Sequence, residues 1–241
     1  MDAVPRKSPR SRLSELANAA TVVFGRQGYR RTRTAEIATE AGMASGSVFN
    51  YVESKEALFF LVFAHGFHAL DEANPVLPIA TPAQGETVAL ISQHLRKVET
   101  PRLTAARDNR NPDDPRAELQ GIIEERYDML EALWPLLAVI ERSAVDFPDL
   151  EEFYFRRLRV RYHDRLARYL EQRAAEGELQ PASDPTLTAR IVDESVTWFA
   201  WKRHEGRDAR KFDDERARNS VVDFVCSALA PGLDTGDHGD R

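Results

Sequence analysis

Residues 37–58 read IATEAGMASGSVFNYVESKEAL, and the punctuation of this stretch decides the fold. Ile37, Ala38 and Ala41 share one helical face that stops at Gly42, a residue free to carry the backbone through a tight turn. Val48 and Val52 anchor a second short face behind Ser45, Gly46 and Ser47. Ser54 has the chemistry of an N-cap, and Glu56 follows in the first turn, where a helix dipole favours a carboxylate. The spacing therefore predicts a helix over Thr34–Ala41, a turn over Gly42–Ala44 and a helix over Ser45–Tyr51. That is the outline of a helix-turn-helix, whose second member enters a DNA major groove.

Two helices this short cannot bury a face alone, so support is expected on either side. Upstream, Leu13, Leu16, Ala17, Ala20 and Phe24 recur at i, i+3, i+4, i+7 and i+11, predicting a helix over 12–25 closed by Gly25 and Gly28. Downstream, an apolar run leads from Ser54 to about Leu70. The prolines of 74–82 (NPVLPIATP) mark a connection. Helix resumes over 83–98, and Thr100–Pro115 reads as an irregular stretch long enough to hold a short helix. Long helical periods follow at about 116–145, 149–176, 184–206 and 213–230, with Pro135 expected to kink the first. No strand is expected. The fold class is all-α: a three-helix helix-turn-helix domain followed by a larger helical domain.

With 241 residues, 42% apolar and 30% charged, the chain is long enough and apolar enough to bury a proper core. A single cysteine, Cys226, excludes an internal disulfide and reads as a small buried hydrophobe. The longest apolar run, Ala57–Leu70, is broken by His65 and His68 and is shorter than the ~20 residues of a membrane span. The N-terminus MDAVPRKSPRSR has no apolar core of a signal peptide, so a cytoplasmic protein is expected. The net charge of −6 conceals an asymmetry. Residues 1–55 carry nine Lys or Arg against five Asp or Glu, a net of +4, which leaves −10 on the rest. A basic module on an acidic body fits one end meeting a polyanion, although chance clustering gives the same count.

The stretch 37–58, with Phe24, Gly28, Tyr29 and Thr32 before it, resembles the TetR family of tetracycline-repressor-like bacterial regulators. The resemblance rests on the I-A pair, the A-G turn, the glycine inside the recognition helix, the aromatic pair Phe49 and Tyr51, and the closure Ser54-Lys55-Glu56-Ala57-Leu58. It implies a homodimeric DNA-binding transcription regulator, a ligand-responsive repressor on a palindromic operator, without cofactor or metal. The implied DNA contacts are Arg33, Thr34, Ser45, Gly46, Ser47, Asn50, Tyr51 and Lys55. Ser45, Ser47 and Asn50 are short polar groups on the face that Val48 and Val52 leave free, and Asn50 is the candidate for a bidentate contact to adenine. Gly46 either lets the duplex approach or serves helix packing. Tyr51 and Lys55 resemble phosphate clamps, and Thr34 is either a phosphate contact or an N-cap. Three positions depart from the pattern: Phe49 lacks the tyrosine hydroxyl common in relatives, Ala44 replaces a capping serine, and Ala35 offers no hydrogen bond.

The expected organisation is a disordered basic arm at 1–10, a DNA-binding domain at 11–56, an effector-binding and dimerisation domain at 57–230 and a mobile tail at 231–241. The implied effector is a largely apolar small molecule. Phe63, Phe67, Trp134, Phe153 and Phe155 are pocket candidates, with Tyr127 and Tyr154 as polar handles. Leu187, Ile191, Ser195, Trp198 and Trp201 form one stripe and Val221, Phe224, Val225, Ala228 and Leu229 another, the candidates for a two-fold interface. His65, His68 and Glu72 fall at i, i+3 and i+7, a spacing that admits a metal site but more often belongs to structural histidines. The sequence contains no G-x-S-x-G, Gly-rich phosphate loop or H-E-x-x-H. The rival readings are a helical enzyme or scaffold, and a protein that compacts DNA regardless of sequence.

Overall fold

A computed structural model describes residues 9–70, 76–98, 100–109, 112–206 and 212–230. The described residues are helical and hold no strand. Their extended pairing is one parallel bridge between Val52 and Ile79. In order come α1 (Pro9–Gln27), α2 (Thr34–Glu40), a 3-10 helix over Ser45–Asn50, α3 (Lys55–Gly66), α4 (Glu86–Lys97), α5 (Pro101–Asp108) and α6 (Pro115–Ser143). A 3-10 turn over Ala144–Asp146 leads to α7 (Pro148–Glu151), which passes through a π-helical stretch, Glu152–Arg159, into α8 (Val160–Ala175). Then follow α9 (Pro185–Thr197), a second π-helical stretch, Trp198–Lys202, α10 (Arg203–Glu205) and α11 (Asp214–Leu229). The all-helical class expected from the periodicity is the class observed.

The described residues form two compact units. Those of Met1–Val98 join Pro135–Arg157, and those of Glu99–Trp134 join Leu158–Arg241. The division falls at Pro135, through which α6 remains helical.

The first unit is built on α1. Leu13, Leu16, Ala17, Ala20 and Phe24 are all buried, as their spacing requires. Phe24 meets the Phe59 ring edge-on at 5.4 Å, and Phe59 stacks on Phe147 at 5.1 Å. These rings tie α1 and α3 to residues well beyond 56, because three short helices do not enclose a core by themselves. Gly28 shows the tightness of this contact. Its φ is +80°, and a Cβ there would fall 2.4 Å from the carbonyl oxygen of Arg142, so only glycine fits.

The limits of α1 and α3 differ from the sequence expectation. Helix α1 begins at Pro9, so residues 9 and 10 of the expected arm are helical; residues 1–8 and the tail 231–241 lie outside the described residues. Helix α3 ends at Gly66 rather than near Leu70. A Cβ at Gly66 would lie 2.7 Å from Leu136, and His68 leaves the helix with φ +54°. His65 and His68 therefore share no helical face, and Glu72 is outside the described residues.

The second unit is held by charges as much as by apolar contacts. Arg173 has no exposed side-chain surface. Its guanidinium donates to Glu118, Glu176 and the carbonyl oxygens of Ala106 and Asn109. Asp193, also fully buried, accepts from Arg126 at 2.8 Å and pairs with His163 Nε2 at 2.7 Å. Burial alone would raise the Asp193 carboxyl, but the Arg126 charge and the His163 hydrogen bond outweigh it and hold the group well below the ordinary carboxylate range. The π-helical stretch corrects the expected α9 stripe. Its i→i+5 turn is wider than an α turn, so a step of three no longer returns to one face, and Trp198 is exposed while Trp201 is buried.

Candidate nucleic-acid interface

Helix α2 opens at Arg33, whose backbone N–H donates to Glu36 Oε2 at 2.8 Å. That contact, reinforced by Gln27, lowers the Glu36 carboxyl below its usual range. Thr34 is thus the first helical residue and not the N-cap, which leaves its half-buried hydroxyl outside the capping role. After Ala41 the chain turns through Gly42 at φ +62°, and Met43 N–H closes the turn onto the Ala38 carbonyl at 2.8 Å. Ile37, Ala38 and Val48 are buried beneath the turn.

The recognition segment is a 3-10 helix, Ser45–Asn50, opened by Ala44 without any side-chain cap. Ser47 does not replace the missing cap: its Oγ donates to the Ala44 carbonyl at 2.7 Å and accepts no N–H of the first turn there. Ser45, Gly46 and Asn50 are exposed. A Cβ at Gly46 would meet nothing within 4 Å. Packing inside the chain therefore does not require glycine there, and the packing alternative for Gly46 falls away.

Beyond the segment, backbone pairing sets the geometry. Tyr51 accepts from Ile79 N–H at 2.8 Å, and Glu53 N–H donates to the Ile79 carbonyl at 3.0 Å. Ser54 caps α3, its Oγ accepting from Ala57 N–H at 3.1 Å and from Thr81 Oγ1 at 2.8 Å. Lys55 is the first residue of α3. Its ammonium lies 4.4 Å from the centre of the Tyr29 ring and donates to the Arg30 carbonyl at 3.4 Å. Tyr29 in turn donates to Glu56 at 2.6 Å, and burial together with that carboxylate pushes its phenol up. Lys55 thus has a structural partner in addition to the phosphate role read from the sequence. Arg33 is exposed and Tyr51 half-buried.

One residue of this face escaped the sequence reading. Phe49 is 51% exposed, although it sits in the middle of the recognition segment. The available signal is its place off the Val48–Val52 stripe, whereas the sequence pattern marks it as one of the aromatic pair and as lacking a hydroxyl.

The other candidate sets divide differently. Phe63, Phe67, Phe153, Tyr154 and Phe155 belong to the first unit, and Tyr127 and Trp134 to the second. Phe63, Phe153 and Tyr154 are buried, Phe67 stacks on His94 at 4.7 Å and Tyr154 meets Phe155 at 5.0 Å. Tyr127 donates to the Phe199 carbonyl at 3.2 Å and Trp134 stacks on His204 at 5.4 Å. Among the interface candidates, Leu187, Ile191, Trp198 and Phe224 are between 46% and 65% exposed. Ala228 is exposed and Ser195 half-buried. Val221 and Val225 are buried within the chain itself, on the inner face of α11 beside Val222 and Cys226, and so offer nothing to a partner. Burial raises the Cys226 thiol. Glu131, His204 and Asp214 could surround an ion by distance alone, but the Arg203 guanidinium already pairs with both carboxylates, and its charge opposes a metal cation there.

Residues 16–62 match the model of the bacterial regulatory proteins of the tetR family, and residues 125–230 match the AefR-like transcriptional repressor C-terminal domain. The chain belongs to the TetR family. A curated relative, the HTH-type transcriptional repressor KstR2 of Rhodococcus jostii, is 23% identical over 198 residues, covering 81% of each chain. The fold is shared with the ketosteroid transcriptional regulator KstR2 of Mycobacterium tuberculosis, at a TM-score of 0.57 and 18% identity over 95% of this chain and all of that one. It is also shared with a transcriptional regulator from Saccharomonospora viridis solved with choline, at 0.52 and 13% over 92% and 98%. As a TetR regulator the chain is a DNA-binding, ligand-responsive transcription factor. Among its described residues no helix is long and apolar enough to cross a membrane.

Proposed function

We propose that this TetR regulator is a cytoplasmic, non-enzymatic repressor that binds a palindromic operator as a homodimer and leaves it when a largely apolar small molecule binds. Residues 11–56 would carry the DNA contacts and residues 57–230 the effector and dimer surfaces. In this reading Ser45, Ser47 and Asn50 read base edges, Gly46 admits the duplex, and Arg33, Thr34, Tyr51 and Lys55 hold phosphates. The observation that carries it is the open space at Gly46, flanked by the exposed Ser45 and Asn50: a surface that the chain's own packing does not explain is free for a duplex. Two such segments must reach successive major grooves ~34 Å apart. Helices α9 and α11 are neighbours, and the exposed apolar residues Leu187 and Ile191 of the one and Phe224 of the other support a two-fold partner.

The effector would act through its different affinity for the DNA-bound and free states. Its aromatic contacts would come from Phe63, Phe67, Phe153, Tyr154 and Phe155 of the first unit.

The test is selection of duplexes from a random pool at near-physiological salt, followed by sequencing. A recovered palindrome with half-sites about one helical turn apart is the expected result; a folded protein that enriches nothing, with or without cell extract, sinks the proposal. On the recovered operator, Lys55→Ala should lower the salt slope by about 1, the loss of one phosphate-neutralising cation.

A further inference from the structure

Helix α8 carries two kinds of arginine. Arg173 is buried and matched by carboxylates. Arg161, Arg165 and Arg168, at i, i+4 and i+7 on the preceding turns, have no carboxylate partner among the described residues. Together with Arg107 of α5 they line one groove of about 430 Å3 in the second unit, which Leu103 and Tyr169 complete with apolar surface.

Arg165 is positioned without being neutralised. Its Nη1 donates to Thr100 Oγ1 at 2.9 Å and its Nη2 to Thr104 Oγ1 at 2.6 Å, and the Thr104 hydroxyl donates onward to the Thr100 carbonyl at 2.9 Å. All these acceptors are uncharged. Arg168 donates to the backbone carbonyl of Asp164, again without charge compensation, and Arg107 touches only the exposed Asp108 beside it. Burial and the nearby charges of Arg161, Arg107 and Arg168 lower the proton affinity of Arg165, a sign that the cations press on one another. The Tyr169 hydroxyl is buried beside Glu118 and Arg173, and burial pushes the phenol up.

Guanidinium groups that converge on a recess with one exposed carboxylate, Asp108, among four of them match a compact polyanion, because each planar fork can donate two N–H groups to phosphate oxygens. We infer that the groove between α5 and α8 binds a small molecule carrying a phosphomonoester or pyrophosphate group, with the rest of the ligand against Leu103 and Tyr169. A recess of this size closes around the end of a small ligand, whereas a duplex backbone is convex and calls for an open stripe of cations. The site shares no residue with the helix-turn-helix, so it stands or falls apart from the DNA reading.

The test titrates the full-length protein with inorganic pyrophosphate, at matched ionic strength, by calorimetry. The Arg161→Ala/Arg168→Ala double variant alters two exposed side chains, and an unchanged far-UV spectrum and Tm establish that it folds. Saturable binding at one pyrophosphate per chain, weakened at least tenfold in the double variant and retained in Lys55→Ala, is expected. Absence of saturable binding at millimolar pyrophosphate would overturn the site, as would equal binding by the double variant. A double variant that keeps pyrophosphate affinity but loses affinity for random duplex DNA would assign the patch to nucleic acid instead.

Discussion

The recognition segment Ser45–Asn50 and the surroundings of Arg173 are both polar, and they treat polarity in opposite ways. Around Arg173, Glu118, Glu176 and two backbone carbonyls answer the guanidinium from inside the fold. In the recognition segment Ser45 and Asn50 face solvent, Gly46 faces open space, and the entry at Ala44 has no side-chain cap. Polar groups satisfied within the chain hold it together, since a buried charge is tolerated only when paired. Polar groups left at the surface in a fixed frame are available to something else.

This contrast can be broken by substitution. The largest effect is expected from Arg173→Ala, which strands Glu118 and Glu176 without their cation. It should cost about 3–5 kcal/mol, read as a lower urea midpoint. A loss below 1 kcal/mol would mean that the network is ornamental. Asn50→Ala should leave the urea midpoint where it is and weaken operator binding by about 1–3 kcal/mol, with relaxed preference at a single base pair in a competition assay. Ser54→Ala removes the cap of α3 and should cost about 1 kcal/mol of stability, measured by the same unfolding experiment. The smallest change in stability belongs to Gly46→Ala. The added methyl meets nothing in the chain, so Tm should hold or rise slightly while operator affinity falls. A drop in Tm with DNA binding intact would return Gly46 to a packing role.

The first unit was the more legible in the sequence, for a physical reason. Its helices are set by local signals: the apolar face of α1, the Gly42 turn and the Ser54 cap all lie within a few residues of what they control. The 3-10 character of Ser45–Asn50 was not visible, because it lies in i→i+3 backbone bonds such as Ser47 N–H to the Ala44 carbonyl, which apolar spacing over six residues does not distinguish from α bonds. In the second unit the decisive contacts are distant in sequence. Arg173 meets Glu118 across 55 residues, and Arg126 meets Asp193 across 67, and periodicity carries no information at that range. The same limit hid the burial of Val221, Val225 and Trp201: a stripe states that a face is apolar, not which body covers it. The spacing of Arg161, Arg165 and Arg168 was readable, but the lack of acids opposite them is a property of the folded chain.

The pairing of Tyr51 and Glu53 with Ile79 bears on how such a protein changes its target. A six-residue 3-10 segment cannot hold its own direction in space; it is aimed by whatever grips its end. Here that grip comes from a residue nearly thirty positions downstream, in the proline-bearing connection ahead of α4. Under the proposed contacts, operator preference is therefore open to adjustment from a residue outside the DNA-reading set. In that reading Ile79→Pro, which removes the N–H given to Tyr51, would tilt Asn50 while every proposed DNA-reading residue stays the same.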